Sequence, residues 1–286
     1  MEWSPEKAAE QPLVSVVVPT FNQAQTLPEA LDSVLFQDYP NIEVIVCNHG
    51  STDGTDRIMR DYLRGIEQDE VSYLDRMDDS DGEERLIRSC GKRYPAGRSV
   101  VVLESDENIG ATRSYNEGFT RATGAYCTYL VADDAFLPTA LSEMVQVLET
   151  GEADFVYADM FVVDNGGRIL QRLEKPEYTF RTCLADWFHL GACKLYRRSL
   201  HEKVGYYDPG YRNANDYDMF FRFALAGCRF KHVPRVLYRV RKHDPDNPAE
   251  PAAWRNRGYE NLMRESIRCA RRARRFLREI RRDEHD

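Results

Sequence analysis

Asp133 and Asp134 stand side by side at the end of an apolar, strand-like run in "YLVADDAFLP". Two like charges in contact repel, and the usual remedy is a hard divalent cation with oxygen ligands. Magnesium or manganese held by one or two carboxylates completes its shell with water and substrate phosphates, so the pair suggests a diphosphate site. Standing alone, the pair reads equally well as a solvated loop after a strand. Three other polar clusters accompany it: "PTFN" at residues 19–22, "NHGSTDG" at 48–54 and "ENIG" at 107–110. Each by itself is ordinary turn chemistry. A further cluster, "NDYD" at 215–218, opens a helical pattern that places Met219, Phe220, Phe223 and Ala224 toward a core and Asn215 or Asp216 at the N-cap. A helix start favours an anionic side chain, which suits a general base.

The elements that must carry these clusters follow from periodicity. The β-branched run Val14 to Val18, closed by Pro19, predicts a strand, and "TLPEALDSVLFQ" predicts a helix after it. The design repeats with Ile42 to Val46, a turn containing Gly50 and Gly54, and a helical pattern through Ile58, Met59 and Leu63. "RSVVVLESDENIG" supplies another strand, and a helix ending near Gly124 leads into the strand before Asp133. Strands joined through helices predict an α/β fold with a mainly parallel sheet, in which ligands bind at the carboxyl ends of strands. "PTFN", "NHGSTDG", "ENIG" and the Asp133–Asp134 pair all fall at such ends. Farther along come a helix after Pro138, a hairpin turning at Gly166 and Gly167, and a strand at "RVLYRV". Residues 66–99 exceed an ordinary connection and contain "DRMDDSDGEE", which reads as an acidic, solvated surface insertion.

Composition narrows the class. The chain has 286 residues, of which 42% are hydrophobic and 30% charged, as expected of a globular protein. No run approaches a membrane span, and "MEWSPEKAAEQP" lacks the pattern of a signal peptide, so the expected location is cytoplasmic. Seven scattered cysteines without a Cys-x-x-Cys pair indicate reduced thiols, not a zinc site or a disulfide framework. The net charge of −8 divides unevenly: Ala252 to Asp286 holds eleven arginines against six acidic residues, and the rest of the chain is strongly acidic. An acidic body argues against nucleic-acid binding.

"SVVVPTFNQAQTLPEALDSVLFQDYPNIEVIVCNHGSTDGT", then "ENIG", "NEGFTRATGAY", "VADD" and "VGYYDPGYRNANDYDMFFRFALAGCRFKHVPRVLYRVRKH" resemble the family 2 glycosyltransferases of the GT-A fold, across residues 13–245. The resemblance implies a Rossmann-like catalytic domain over residues 1–245 and an inverting enzyme that moves a sugar from a nucleotide-diphosphate donor to a hydroxyl. It implies that Asp133 and above all Asp134 hold a divalent cation, Mn2+ or Mg2+, that bridges the donor diphosphate. Thr20, Phe21 and Asn22 resemble the segment lining the base, Asn108 and Gly110 the loop beside the nucleoside, and Asp216 the catalytic base, with Asp218 second in line. The chain departs from the family at Asn48, which is followed by His49 and stands where a base-reading Asp is usual, and at Val131, where a first Asp is frequent. At Tyr115 the family has Arg, and the nearest arginine is Arg113. Asn48 keeps a role at the base, since an amide both accepts and donates. Arg241 and His243 either add positive hydrogen bonds to the diphosphate or are surface charge.

"LADWFHLGACKLYRR" is the expected acceptor region, where Trp187 and His189 either line a sugar or belong to the core. The tail, residues 246–286, reads as a basic amphipathic helix with Met263, Ile267, Ala270, Leu277 and Ile280 on one stripe. It packs on the catalytic domain, forms a dimer, or lies on the inner face of the plasma membrane, which would suit a glycan or lipid-linked glycan acceptor in surface polysaccharide biosynthesis. A nucleotidylyltransferase would need a Gly-rich basic loop after the first strand, and "PTFNQAQTLP" has none. A degenerate nucleotide- or glycan-binding module is the other reading.

Overall fold

In the computed structural model, which describes residues 11–67, 71–78, 84–93, 98–242 and 257–283, the opening β-branched run becomes β1 (Val14–Thr20). After it come α1 (Leu27–Leu35), β2 (Ile42–His49), α2 (Thr55–Glu67), β3 (Val71–Asp78), β4 (Arg85–Arg93), β5 (Ser99–Ser105), α3 (Ala111–Arg121), β6 (Tyr126–Tyr129) and β7 (Ala135–Phe136). The second half holds α4 (Ala140–Glu149), β8 (Phe155–Val163), β9 (Ile169–Leu173), α5 (Phe180–Ala185), β10 (Lys194–Arg197), α6 (Ser199–Val204), α7 (Asn215–Leu225), β11 (Phe230–Arg241) and α8 (Arg257–Asp283). The order β5-β2-β1-β6-β10-β8-β11-β7, with β9 beside β8, makes one nine-stranded sheet. β1 pairs in parallel with β2 and β6, β2 with β5 and β8 with β11, whereas β10 runs antiparallel between β6 and β8. The expected α/β class holds.

Strand alternation builds two core layers. Val14, Val16 and Val18 join Ile42, Val44 and Val46 on the face covered by α1 and α4. Val17, Ile45 and Cys47 lie on the opposite face with Phe119 of α3, Leu200 of α6 and Met219, Phe220 and Phe223 of α7. Both faces of β1 are therefore covered, as a central parallel strand requires. β11, 12 residues long, pairs with β8 through a register shift between Val233 and Val236, where Pro234 cannot donate to the ladder.

The segment expected to be an acidic, solvated insertion contains two strands. β3 and β4 form an antiparallel hairpin in which Val71 faces Arg93 and Asp78 faces Arg85, so the start of the acidic stretch is itself paired; residues 79–83 lie outside the described residues. The hairpin docks on the turn between β8 and β9, where Leu86 N–H donates to the Gly167 carbonyl at 2.9 Å. Gly167 has φ 83°, and a Cβ there would meet the Leu86 carbonyl oxygen at 2.2 Å, so the contact needs glycine. At the far end of the insertion the Arg98 guanidinium caps α1, donating to the carbonyls of Val34 at 3.2 Å, Gln37 at 2.6 Å and Tyr39 at 2.9 Å.

The tail is helical, but the buried stripe differs from the expected one. Ser266, Cys269 and Ala273 are buried, with Leu262 half-buried, while Ile267 is 48% exposed. Small side chains allow α8 to approach α7 closely, and Cys183, Tyr211, Ala214, Tyr217 and Phe221 complete this third cluster. Among the described residues no helix is long and apolar enough to cross a membrane.

Candidate active site

The loops after β1, β2, β5 and β6 share one rim of the sheet, as their parallel register requires. Thr20 is opposite Asn48 across the β1–β2 pair. Thr20 is buried, whereas Phe21 stands 44% exposed beside Asn22, whose φ of 54° turns the chain. The Asn22 Oδ1 accepts from Thr52 N–H at 2.7 Å, and its own N–H donates to Ser51 Oγ at 3.0 Å. Asn48 is buried with both ends of its amide engaged: Nδ2 donates to Asp56, and Oδ1 accepts from Ser51 Oγ at 2.6 Å. Asp53 accepts from Thr55 and from Ala24 N–H; burial pushes its carboxyl up, and these hydrogen bonds outweigh it, leaving a net lowering. The β2 and β5 loops touch at Gly50, with φ 73°, where a Cβ would lie 2.5 Å from the Asn108 nitrogen. Asn108 is exposed and folds its own loop by accepting from Gly110 N–H at 2.8 Å.

His49, next after Asn48 in β2, faces α3. Its Nδ1 lies 3.0 Å from Ser114 Oγ and its Nε2 3.1 Å from Glu117. Arg113 is exposed on the first turn of α3. Tyr115 turns inward against Tyr129 and Tyr207, with ring centroids at 4.9 and 5.4 Å. Burial first, then the carboxylates of Asp216, Asp133 and Asp134, push its phenol far above the usual range. The side chain that replaces the expected Arg thus stands within electrostatic reach of all three acidic candidates.

Asp133 and Asp134 are both buried in the turn between β6 and β7. The pairing of β7 with Tyr238 and Arg239 of β11 fixes that turn. Asp134 accepts from Tyr238 Oη at 3.0 Å and from Arg241 N–H at 2.9 Å, and Arg241 Nε donates to the Asp133 carbonyl at 3.0 Å. The Arg241 guanidinium also pairs with Glu29 of α1 at 2.8 Å, and Arg239 binds the same carboxylate. Arg241 therefore braces the carboxylate turn from behind. His243 lies outside the described residues.

Asp216 is 29% exposed at the start of α7. Its Oδ2 accepts from Tyr129 Oη at 3.0 Å and lies 3.6 Å from Lys194 Nζ, and its Oδ1 accepts from Tyr217 N–H at 2.7 Å. Neither Asn215 nor Asp216 caps the helix. Ala214 occupies the N-cap position, and within the first turn Asn215 Oδ1 accepts from Asp216 N–H at 2.8 Å. The loop leading into the helix is held from α8, where the Glu265 carboxylate takes N–H groups from Arg212 at 3.0 Å, Asn213 at 2.8 Å and Ala214 at 3.0 Å. Asp218 binds Arg222 Nε at 2.8 Å and Arg272 of α8 at 3.4 Å, so it ties helices together.

Trp187 is half-buried beside Phe188, and His189 is a core histidine. Its ring is buried near Tyr157 and Tyr178, and burial lowers its pKa, so it offers no face to a sugar. Sequence reasoning missed Lys194, Tyr129, Glu29 and Glu265. Lys194 lay in plain view, a lone cation in the apolar run "GACKLY".

A mixed sheet with its acidic and amide clusters at the carboxyl ends of parallel strands is the GT-A architecture of nucleotide-sugar transferases. The chain belongs to glycosyl transferase family 2, whose model matches residues 15–77 and 69–205. An uncharacterized glycosyltransferase of Rickettsia typhi is 28% identical over 244 residues, 82% of this chain. The chain spans only 65% of that relative's length. The uncharacterized glycosyltransferase YwdF of Bacillus subtilis is 25% identical over 257 residues, 87% of this chain and 82% of its own. Among solved structures, S. aureus TarS 1-349 in complex with UDP-GlcNAc has a TM-score of 0.59 at 21% identity, with 81% of this chain and 59% of that one covered. The mannosyltransferase PcManGT from Pyrobaculum calidifontis, in complex with GDP-Man and Mn2+, has a TM-score of 0.59 at 18% identity, covering 93% of this chain and 75% of that one.

Proposed function

We propose that the protein is an inverting, metal-dependent glycosyltransferase that moves a sugar from a nucleotide-diphosphate donor to a hydroxyl of a glycan or lipid-linked glycan during surface polysaccharide assembly. The observation that carries the reading is the Tyr115–Tyr129 ring pair at 4.9 Å, from which the Tyr129 hydroxyl holds Asp216 at 3.0 Å, while the charges of Asp216, Asp133 and Asp134 push the Tyr115 phenol up. Phe21, exposed at the β1 end, offers a ring for the base to stack on, and Asn22, Asn48 and Asn108 shape the nucleoside end of the rim.

Asp133 and Asp134 are the residues that would hold a divalent cation. They fit it: the donor set is hard oxygen, and Tyr238 and Arg241 N–H orient the Asp134 carboxylate. Among the described residues no group of three or more His, Cys, Asp or Glu is placed to hold a metal. When bound, the cation offsets charge on the departing diphosphate. Asp216, open to solvent on one side, takes the proton from the acceptor hydroxyl as that oxygen attacks the anomeric carbon. Attack from the face opposite the diphosphate inverts the configuration. The outward side of α8 carries exposed Arg271 and Arg274 beside Ile267, a surface suited to anionic lipid at the cytoplasmic face of a membrane.

Calorimetric titration with UDP, dTDP and GDP, each with and without Mn2+, tests the reading. One diphosphate should bind tightly only with metal, and Asp134→Ala should weaken that binding at least tenfold. Asp216→Asn should bind as the wild type does and lose transfer by a hundredfold or more. Binding of no diphosphate by the folded chain would favour a module without transferase activity.

A further inference from the structure

Lys194 is fully buried on β10, and nothing in the reaction so far uses it. Its Nζ donates to Tyr129 Oη at 2.5 Å, and Tyr129 Oη in turn donates to Asp216 Oδ2 at 3.0 Å. The ammonium also lies 3.6 Å from that same oxygen. The rings of Tyr129 and Phe220 flank it, with centroids at 4.5 and 4.6 Å. Taking a charge out of water costs several kcal/mol unless a counter-charge and hydrogen bonds offset it, and a Met of similar length would fill the same space at less cost. Among the described residues the carboxylate paired with Lys194 is Asp216, which is itself 29% exposed. The buried cation is therefore aimed at the back of the base.

We propose that Lys194 is a positioning residue for the transfer reaction: acting on Asp216 Oδ2 directly and through the Tyr129 hydroxyl, it supplies the fixed counter-charge that holds the base in place to receive the acceptor's proton. This rests on Asp216 being the base. Other groups around the pair do not substitute for Lys194. Tyr115 of α3, Tyr207 before α7 and Cys183 of α5 face Asp216, and burial pushes all three up so that they stay neutral near pH 7. Cys193, beside Lys194, is likewise pushed up by burial. The other nearby cation, Lys175, donates to the Phe188 carbonyl at 2.5 Å instead. Coupling between two charges is reciprocal, so whatever Lys194 does for Asp216 is measurable on Lys194.

The first test needs no substrate. In the full chain carrying [13C]lysine, the Lys194 signal is assigned by its absence from Lys194→Met and followed by NMR as pH is raised. Burial pushes Lys194 down to about 8, and Asp216 works against that fall. In Asp216→Asn the midpoint should drop by about one pH unit or more; an unchanged midpoint overturns the proposal. The second test follows UDP release from UDP-GlcNAc and GDP release from GDP-mannose, with Mn2+ present. Using whichever donor turns over, Lys194→Met should lower kcat about tenfold with KM for the donor unchanged, and it should add no further loss in the Asp216→Asn background. Full kcat in Lys194→Met, or an equal loss with Asp216 already removed, overturns the positioning role. Wild-type turnover by Asp216→Asn would instead overturn the base assignment while leaving the measured coupling intact.

Discussion

The two ends of the strand rim are built from different forces. At the nucleotide end, Asn22, Asn48, Ser51, Asp53 and Thr55 hold one another by hydrogen bonds between short side chains and backbone, chiefly between two adjacent loops. At the base end, Asp134, Asp216 and the start of α7 are held by Arg241, Lys194 and Glu265, residues 107, 22 and about 50 positions away. The first end is a shape that turn chemistry makes locally. The second is an arrangement of charges that exists only when α1, β10, β11 and α8 are all in place. Loss of one contact should therefore be tolerated at the nucleotide end and spread at the base end.

The largest effect expected from this contrast is on pH stability. His201 of α6 is buried behind α7, between Tyr196 and Phe223, and its Nδ1 faces the Gly205 carbonyl at 3.2 Å. Burial lowers it from 6.5 to about 4. The folded state then binds a proton less readily than the unfolded chain does. Its neutral form contributes full stability above pH 6.5, and that contribution disappears as pH falls through about 4, on the order of 3 kcal/mol in all. Urea unfolding from pH 7 to pH 4 should give wild type and His201→Gln curves that converge on acidification. Parallel curves would mean that the ring titrates alike in both states.

Glu265 comes next. Glu265→Ala leaves three backbone N–H groups in the loop just before α7 without their acceptor, for a loss of about 2 kcal/mol, and Glu265→Gln, which keeps one oxygen, should lose roughly half of that. Thermal melts give the stability, and donor turnover should fall alongside it because Asp216 lies two residues beyond Ala214. If both variants melt and turn over as wild type, α8 is a passenger and the base end does not depend on it.

The same division explains what could be read from the sequence. β3, β4, β7 and β10 were not read as strands. By contrast, β1, β2, β5, β6, the β8–β9 hairpin and β11, with the polar clusters at the ends of the parallel strands, were legible, because β-branched runs, helical spacing and turn residues act over a few positions. So were the Asp133–Asp134 turn and the helix beginning at Asn215. Their supports were not. Glu29 meets Arg241 across 212 residues, and Glu265 sits in a segment whose most visible property is its arginines. No local pattern announces either partner. The tail's buried face was misassigned for a related reason: hydrophobicity pointed to Ile267, whereas the closeness of α7 favoured Ser266, Cys269 and Ala273. Size decided that face, and size at a contact depends on the other helix.

The smallest expected effect would sharpen the picture of the nucleotide end. Asn48 stands where the family usually carries Asp, and restoring the acid looks conservative. Here it would replace the Nδ2 donor with a carboxylate facing Asp56, exchanging a hydrogen bond for like-charge repulsion. Asn48→Asp should therefore lose about 1 kcal/mol at pH 8 instead of gaining nucleotide affinity, and the loss should fade on acidification as one of the two takes up a proton. The double variant Asn48→Asp, Asp56→Asn reverses the polarity of the pair and should recover most of the loss. Recovery by the double variant, read in the same unfolding assay, would mean that the chain keeps an amide at position 48 because Asp56 holds the acid. If Asn48→Asp alone is as stable as wild type and binds a nucleotide more tightly, the pair is not what fixes the amide, and the rim at the β2 end is looser than its hydrogen bonds imply.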